Sequence, residues 1–272
     1  MTIYLFGSTG MIGNYIFELL KKSFDVIPIN RNQFDINKDN WNKLKNTLKN
    51  LKKDDIIINC AGIVPQTKIT DSKQYIKVNS IFPHKLEEIS LNIKCKFIHI
   101  TTDCVFKGDK GKYIESDNHT EVNIYGVSKS TGEPDNACII RTSFIGHQIS
   151  SHNGLGLLEW IITQKNKKIN GFTNHYWNGI TCLTLANIIK SIIDKKLFWK
   201  GCRHIFSPNS VTKYDLCQYI SEIYDLNITI DKHETEEDID KTISTEFLTN
   251  DLFNISTIKE QIKDQKLYSI IH

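Results

Sequence analysis

Two side chains with acid-base chemistry, Tyr125 and Lys129, stand four residues apart in the sequence. In a helix this spacing puts both on one face. A neighbouring cation stabilises a phenolate, so the tyrosine can serve as a proton donor near neutral pH. About twenty residues earlier, Thr101, Thr102 and Asp103 end an apolar segment, and ligands bind at the strand ends of an open parallel sheet. The pattern therefore predicts a site of proton transfer to a bound ligand.

A glycine-rich turn begins at residue 7, with glycines at positions 7, 10 and 13. It lies between a predicted first strand and its helix, where glycine permits a tight turn and close approach of a pyrophosphate. The N-terminus of the helix then offers free amide donors to phosphates. We expect a dinucleotide to contact the residues of this turn, which are Gly7, Thr9, Gly10, Met11, Ile12 and Gly13.

The end of the predicted second strand carries Asn30 and Arg31, where NAD-preferring folds usually have a carboxylate for the ribose hydroxyls. Arg31 can pair with a 2′-phosphate instead, so the sequence favours NADPH as cofactor, with NADH as the second candidate. An ordinary surface arginine is the alternative. Asp35 and Ile36 are placed at the edge of the adenine, and capping of a helix is the alternative role of Asp35.

Short apolar segments alternate with helical patterns in the first half of the chain, which is typical of a parallel sheet covered on both faces. The predicted strands span residues 2–6, 24–29, 55–59, 94–101 and 137–142, and the predicted helices 11–22, 40–51, 155–165 and 183–195. The predicted fold class is therefore α/β, a doubly wound parallel sheet. We expect a dinucleotide-binding domain at 1–145 and a smaller, mainly substrate-binding lobe at 146–272, with a diffuse boundary.

Composition argues against several classes of function. The 272 residues are 40% hydrophobic and 24% charged, and a net charge of +3 is too small to hold a polyanion, so nucleic acid is not an expected partner. No apolar stretch approaches the roughly 20 residues of a membrane span. The N-terminal residues lack the pattern of a secretory leader, so we expect a cytoplasmic protein. The seven cysteines show neither metal-ligand nor disulfide spacing, so no metal is expected.

Together these motifs resemble those of the extended short-chain dehydrogenase/reductases, in particular the dTDP-4-dehydrorhamnose reductase group. The resemblance is strongest over residues 1–145 and faint after residue 210. It rests on the segments Gly7/Gly10/Gly13, Asn59-Cys-Ala-Gly62, Thr101-Thr-Asp-Cys-Val-Phe106, Tyr125-Gly-Val-Ser-Lys-Ser-Thr-Gly-Glu133 and Arg141-Thr-Ser-Phe144. It implies a Rossmann domain with a sugar-binding lobe, and NADPH-dependent reduction of the C4 ketone of a nucleotide-linked 4-keto-6-deoxysugar.

The resemblance also implies roles for single residues. Tyr125 would protonate the forming alkoxide, Lys129 would hold the nicotinamide ribose and lower the pKa of the tyrosine, and Thr102 would hydrogen-bond the ketone. The cofactor would further contact Cys60, Ala61 and Gly62. A homodimer is a candidate assembly, and the sequence chooses neither the nucleotide nor the sugar.

Cys104 stands two positions after Thr102, where strand geometry returns a side chain to the same face. GDP-L-fucose synthase and the UDP-4-keto-6-deoxyglucose 3,5-epimerase/4-reductases are similar in having a cysteine there, which implies proton exchange at C3 and C5 before reduction. Those enzymes have a basic partner some forty residues after the tyrosine, which here falls on Lys165, Lys167 or Lys168. The similarity implies a bifunctional epimerase and reductase of the UDP-L-rhamnose-forming type. A small buried thiol and a solvated helix end are the alternatives.

Three other functions compete with the bifunctional one. The first is a 4-ketoreductase without epimerase activity. The second is a non-catalytic nucleotide-binding regulatory subunit, against which Thr102, Tyr125 and Lys129 argue. The third is a 4,6-dehydratase, which is disfavoured because Cys104 stands where the similar dehydratases carry their glutamate base.

Overall fold

The central feature of the fold is a six-stranded sheet. The computed structural model describes residues 1–148 and 156–271 of the chain. The strands of the sheet are β1 (Thr2–Phe6), β2 (Asp25–Ile29), β3 (Ile56–Asn59), β4 (Lys96–Thr101), β5 (Cys138–Arg141) and β10 (Gly201–His204). Their spatial order is β10-β5-β4-β3-β1-β2, and the pairs among β1 to β5 are parallel. The predicted doubly wound α/β class is therefore confirmed.

The helices of the described residues lie close to the predicted ones and add several that the sequence pattern did not indicate. They are α1 (Met11–Leu20), α2 (Trp41–Thr47), α3 (Ser72–Tyr75), α4 (Phe82–Ile93), α5 (Ile124–Ser130), α6 (Leu157–Ile162), α7 (Cys182–Asp194), α8 (Lys213–Tyr224) and α9 (Ile258–Ile271). A π-helical segment, Ile76–Ile81, joins α3 to α4. The predicted start of α6 at Leu155 lies outside the described residues.

The chain forms two compact units, and each is built from three separate segments. The first unit consists of Met1–Thr101, Val122–Arg141 and Ala186–Cys202, and the second of Thr102–Glu121, Thr142–Leu185 and Arg203–His272. The predicted single boundary after residue 145 differs from this division. Residues 102–121 and 142–145 belong to the second unit and 186–202 to the first, so neither unit is one continuous stretch of the chain.

The first unit has an apolar core against the central sheet. All four residues of β3 are buried, as expected for a strand covered on both faces. Aromatic rings of Phe6, Phe34 and Phe82 pack together, with ring centroids of neighbouring pairs 5.2 and 5.9 Å apart. This core holds the carboxyl ends of β1 and β3 in fixed register, since Phe6 pairs with Asn59.

The second unit contains short strand pairs and longer helices. Its strands are β6 (Phe144–Ile145), β7 (Lys168–Phe172), β8 (His175–Trp177), β9 (Ile180–Thr181), β11 (Val211–Thr212), β12 (Thr229–His233) and β13 (Ile239–Asp240). They pair as β6 with β9, β7 with β12, and β8 with both β11 and β13. Buried residues of α8 and α9, including Leu216, Ile220 and Ile262, belong to one apolar cluster.

Two further observations concern the whole of the described chain. Within residues 1–148 and 156–271, no helix has the length and apolar character needed to cross a bilayer. All seven cysteines are free thiols.

Candidate active site

The turn between β1 and α1 requires glycine for two different reasons. Gly7 has φ +76°, and a Cβ there would lie 2.6 Å from the backbone nitrogen of Ala61. A Cβ on Gly13 would lie 2.1 Å from the carbonyl oxygen of Gly7. Both contacts are with backbone, so neither can be relieved by a side-chain movement. The turn is therefore packed as tightly as a pyrophosphate-binding turn must be.

The N-terminus of α1 presents backbone donors without a side-chain cap. Gly10 is the N-cap residue and offers no side-chain acceptor to the first turn. The amides of Met11, Ile12 and Gly13 stand in that first turn, where a helix lacks internal acceptors. These groups and the partial positive charge of the helix end suit a phosphate anion. The tight turn and the uncapped amides are the features that fit a bound dinucleotide.

A second turn meets the glycine turn from the end of β3. In this turn the Oδ1 atom of Asn59 accepts the N–H of Ala61 at 3.0 Å. Gly62 follows, and a Cβ there would be 3.4 Å from the Oδ1 atom of Asn79. Because β1 lies between β2 and β3, both turns stand where the strand order reverses, which is the usual ligand position in such sheets.

Arg31 and Asp35 line an open cavity of about 710 Å³ in the first unit. Its wall also contains three lysines that belong to no motif of the sequence, namely Lys38, Lys73 and Lys77. The Oδ1 atom of Asp35 accepts the N–H of Asn37 at 2.9 Å and so closes a local turn. Ile36 packs against apolar residues of the first unit. The cavity therefore has several cations close to the predicted position of a 2′-phosphate.

Helix α5 carries both members of the predicted acid-base pair. Asn123 caps it by accepting the N–H of Gly126 at 2.9 Å, and the helical turn between Tyr125 and Lys129 puts their side chains on one face. Tyr125 is half-buried beside Ile63, Tyr75 and Val78. We therefore expect its ring to be held in place while part of it stays accessible.

Lys129 is almost fully buried, with 6% of its surface exposed. Its Nζ atom donates to the carbonyl oxygen of Ile100 in β4 at 3.1 Å. Burial lowers the pKa of Lys129 to about 8, while the nearby Glu133 carboxylate opposes that shift. Among the described residues this ammonium has one neutral acceptor, which leaves it hydrogen-bonding capacity for a ligand.

Arg141 has a structural role in the first unit. Its guanidinium group donates to both carboxylate oxygens of Glu133, at 3.1 and 2.5 Å. The Thr101 hydroxyl donates to the same carboxylate at 3.0 Å. Arg141 is 2% exposed, and a buried bidentate pair of this kind fixes the backbone segments that carry it. Arg141 therefore buttresses the sheet beside β4 and α5.

In the second unit, Thr102, Asp103 and Cys104 form a tight polar turn. The Thr102 Oγ1 atom accepts the N–H of Cys104 at 3.1 Å and donates to the Oδ1 atom of Asp103 at 3.2 Å. The Cys104 thiol donates to the same oxygen at 3.5 Å. Burial raises the pKa of Asp103. Burial and the Asp103 charge raise the pKa of the Cys104 thiol to about 12.

The lysines predicted as basic partners of Cys104 lie elsewhere in the second unit. Lys165 and Lys168 are exposed, and the ammonium of Lys168 pairs with Asp231 at 2.6 Å. The lysine charge that acts on the Cys104 thiol is that of Lys241, so the expected pairing with Lys165 or Lys168 is not the one in the structure. Lys167, likewise exposed, donates to the carbonyl oxygen of Thr163, the residue that follows α6, at 3.0 Å.

Two other lysines act on the Thr102–Cys104 turn within the second unit. Burial lowers the pKa of Lys213, and the nearby Asp103 carboxylate opposes that shift. Its Nζ atom lies 5.2 Å from the ring centroid of Trp177. Lys241, which pairs with Glu121 at 3.4 Å, lowers the pKa of Asp103 and Cys104 against the effect of burial. No spacing in the sequence could reveal these lysines, because only folding brings them to the turn.

Comparison with known proteins gives a consistent picture. A family model described as RmlD substrate binding domain matches residues 1–246. The chain is 27% identical over 199 residues to a probable low-salt glycan biosynthesis reductase, Agl14, of Haloferax volcanii, with 69% of this chain and 65% of the relative aligned. It is 30% identical over 154 residues to a dTDP-4-dehydrorhamnose reductase of Mycolicibacterium smegmatis, with 53% of this chain and 45% of the relative aligned. The chain thus spans less than two thirds of both curated relatives.

Among solved structures, the fold is similar to that of dTDP-4-dehydrorhamnose reductase from Bacillus anthracis str. Ames, crystallised in complex with NADP. The TM-score is 0.85 at 20% sequence identity, over 98% of this chain and 99% of the other. At this identity the likeness concerns the fold of the chain.

Proposed function

Because the chain belongs to the family of the RmlD substrate binding domain, we propose that it is an NAD(P)H-dependent reductase of the C4 ketone of a nucleotide-linked 4-keto-6-deoxysugar. The names of the relatives make dTDP the first nucleotide to test. The observation that carries the proposal is the buried ammonium of Lys129, one helical turn from the half-buried phenol of Tyr125. Such a pair suits protonation of an oxygen that gains negative charge.

The residues of the first unit fit the expected cofactor. The turn from Gly7 to Gly13 and the uncapped start of α1 would hold its pyrophosphate. Arg31, with Lys73 in the same cavity wall, would hold a 2′-phosphate, so NADPH is the proposed cofactor and NADH the second. When bound, NADPH supplies the hydride that reduces the ketone carbon.

In the proposed reaction the Tyr125 hydroxyl gives its proton to the alkoxide that forms at C4, so the ketone gains one hydride and one proton. The ammonium of Lys129 holds the cofactor ribose and stabilises the phenolate left on Tyr125. Thr102 donates a hydrogen bond to the ketone oxygen. For this the Thr102 hydroxyl turns away from Asp103, to which it donates at 3.2 Å.

The substrate carries a diphosphate, and the second unit offers cations for anionic groups. Lys213 forms no hydrogen bond or ion pair with any residue in the described part of the chain, and its ammonium lies over the Trp177 ring. A half-buried cation of this kind gains from an anionic ligand. We include Lys213 in the proposed substrate site. It is the first residue of α8 and follows Thr212, the N-cap of that helix.

Reduction alone is the proposed activity, without 3,5-epimerisation. Epimerisation needs a base that removes a proton beside the ketone. A thiol whose pKa is raised to about 12 by burial and by Asp103 is rarely present as thiolate. The two curated relatives compared above both carry the names of reductases. Cys104 is therefore proposed as a half-buried neighbour of Thr102 and not as a proton carrier.

The test is a panel of dTDP-, UDP- and GDP-linked 4-keto-6-deoxysugars with purified protein and NADPH, followed by loss of reduced-nicotinamide absorbance. Tyr125→Phe should lower kcat at least a hundredfold and leave NADPH binding intact, because only the proton donor is removed. Tyr219→Phe, at a tyrosine of α8, is the matched control. Normal turnover of Tyr125→Phe at saturating substrate would rule out Tyr125 as the acid.

Epimerase activity is tested on the same substrates in D2O without NADPH. We expect no deuterium at C3 or C5 with the wild-type protein. Deuterium uptake that stops in Cys104→Ser would show that the thiol exchanges protons after all, and the enzyme would then be bifunctional.

A further inference from the structure

Two polar side chains face each other inside the central sheet. Asn59 ends β3 and pairs in register with His99 of β4. Both residues are 0% exposed, and the Asn59 Nδ2 atom lies 3.2 Å from the His99 Nδ1 atom. Their neighbours in these strands are mostly apolar, and a buried polar pair is costly unless its hydrogen bonds are made.

The orientation of Asn59 determines the protonation of His99. The Oδ1 atom of Asn59 accepts the N–H of Ala61 at 3.0 Å, so the amide cannot be flipped without bringing two donors together. Its Nδ2 group is then the end that faces His99, and the His99 Nδ1 atom must accept. The ring proton accordingly sits on Nε2. That atom is buried and has no partner among the described residues, so the tautomer is set from the Nδ1 side alone.

The imidazole is also held in the neutral form. Burial lowers the pKa of His99 well below its ordinary value, and the nearby charges of Lys129 and His84 act in the same direction. A proton on Nδ1 would face the amide hydrogens of Asn59. Asn59 would then have to turn, and the Ala61 N–H would lose its acceptor.

The Ala61 N–H matters because the turn after β3 packs against the glycine turn. A Cβ on Gly7 would lie 2.6 Å from the Ala61 nitrogen and 2.8 Å from the Cys60 carbonyl carbon. The two turns are thus in backbone contact, and a rotation of the Asn59 amide would shift both. A chain of contacts runs from His99 through Asn59 and Ala61 to Gly7.

We propose that His99 is a positioning residue for the cofactor: as a neutral imidazole protonated on Nε2, it fixes the Asn59 amide and, through it, the Cys60–Gly62 turn against Gly7. The inference rests on the proposed function for the identity of the cofactor. Its structural content, the tautomer and the protected Ala61 amide, is independent of any activity.

The structural content is tested first, by 15N NMR of histidine-labelled protein and by hydrogen exchange. We expect a His99 ring with a bare Nδ1 and a protonated Nε2. His99→Leu removes the acceptor and should speed exchange of the Ala61 amide at least tenfold, whereas His99→Asn places a carbonyl oxygen near the Nδ1 position and should restore slow exchange. A protonated Nδ1, or equal exchange in the wild type and His99→Leu, would overturn the proposal.

The functional content is tested by cofactor affinity. His99→Leu should weaken the Kd for NADPH at least tenfold and change the KM for the sugar nucleotide less than twofold, and His99→Asn should recover the NADPH Kd to within threefold. A merely structural loss would affect both ligands and would not be rescued. Equal NADPH affinity in the wild type and His99→Leu would overturn the positioning role. Absence of NADPH binding by the wild type would instead overturn the proposed function, and the exchange experiment would still decide the role of His99.

Discussion

At the scale of single residues, the buried ammonium of Lys129 limits the pH range of the proposed reaction. The protonated form is the one that stabilises the Tyr125 phenolate. Burial lowers the pKa of Lys129 to about 8. The protonated, active form of the side chain is therefore fully populated well below that pH and is lost as the pH rises through it. We expect kcat/KM to fall above about pH 8, approaching tenfold per pH unit. A pH profile of the wild type measures this.

The matched variant for this prediction is Lys129→Arg. Its guanidinium stays protonated throughout the range, so any activity that it retains should no longer fall near pH 8. If kcat/KM of the wild type stays constant well above pH 8, the predicted fall in activity cannot be assigned to deprotonation of Lys129.

Arg31 carries the second prediction at this scale. If its guanidinium pairs with the 2′-phosphate, Arg31→Ala should lower the ratio of kcat/KM for NADPH over NADH about tenfold, since a charge-assisted hydrogen bond contributes about 1.5 kcal/mol or more. Lys73→Ala, in the same cavity wall, should lower the ratio in the same direction. Lys45→Ala, at the basic end of α2, is the control. A wild-type protein with a higher kcat/KM for NADH than for NADPH would contradict the proposed role of Arg31.

At the scale of elements, the join between β1 and α1 depends on backbone contact. Gly13→Ala places a methyl group 2.1 Å from the Gly7 carbonyl oxygen, so the turn must shift. We expect a loss of about 1–3 kcal/mol in the free energy of unfolding, and at least a tenfold increase in the Kd for NADPH. Urea denaturation and a fluorescence titration measure the two effects.

The control for Gly13 is a glycine that is constrained by its backbone alone. Gly201 has φ +84° and open space around the position of a Cβ. Gly201→Ala should therefore cost roughly 1–2 kcal/mol of stability through backbone strain and leave the Kd for NADPH within twofold. Equal losses of cofactor affinity in both variants would mean that the turn acts through general stability only.

At the scale of the whole molecule, the first unit is discontinuous, and this predicts how fragments behave. A fragment of residues 1–145 lacks Ala186–Cys202, which carries the buried residues Ile188, Ile189, Ile192 and Ile193. Leaving out that much apolar surface removes several kcal/mol, comparable with the whole stability of a domain. We expect the fragment to show no cooperative thermal transition and no binding of NADPH.

A second fragment makes this prediction specific. Residues 1–145 joined through a flexible linker to residues 186–202 should recover a cooperative transition in calorimetry. If residues 1–145 alone unfold cooperatively and bind NADPH as the full chain does, segment 186–202 is dispensable and the boundary after residue 145 describes the folding unit.

The sequence by itself determined the features that depend on near neighbours along the chain. The strands at residues 2–6 and 55–59 are near-continuous apolar runs, and their period and length point to a buried parallel sheet. The glycines of the first turn and the Tyr125–Lys129 spacing are equally local. Five of the six strands of the sheet and the helix of the acid-base pair were therefore predictable, to within a few residues at their ends.

Tertiary structure alone decided the features that depend on distant segments. Lys213 and Lys241 act on the Thr102–Cys104 turn from far along the chain. The resemblance to the enzymes with a cysteine at this position pointed instead to lysines near residue 165, which are exposed. The shifted pKa of Lys129 and the His99–Asn59 pair arise from burial and strand register, which no local pattern encodes. The physical reason is that hydrophobic periodicity reports which face of an element is buried, while electrostatic environment depends on what is packed against that face.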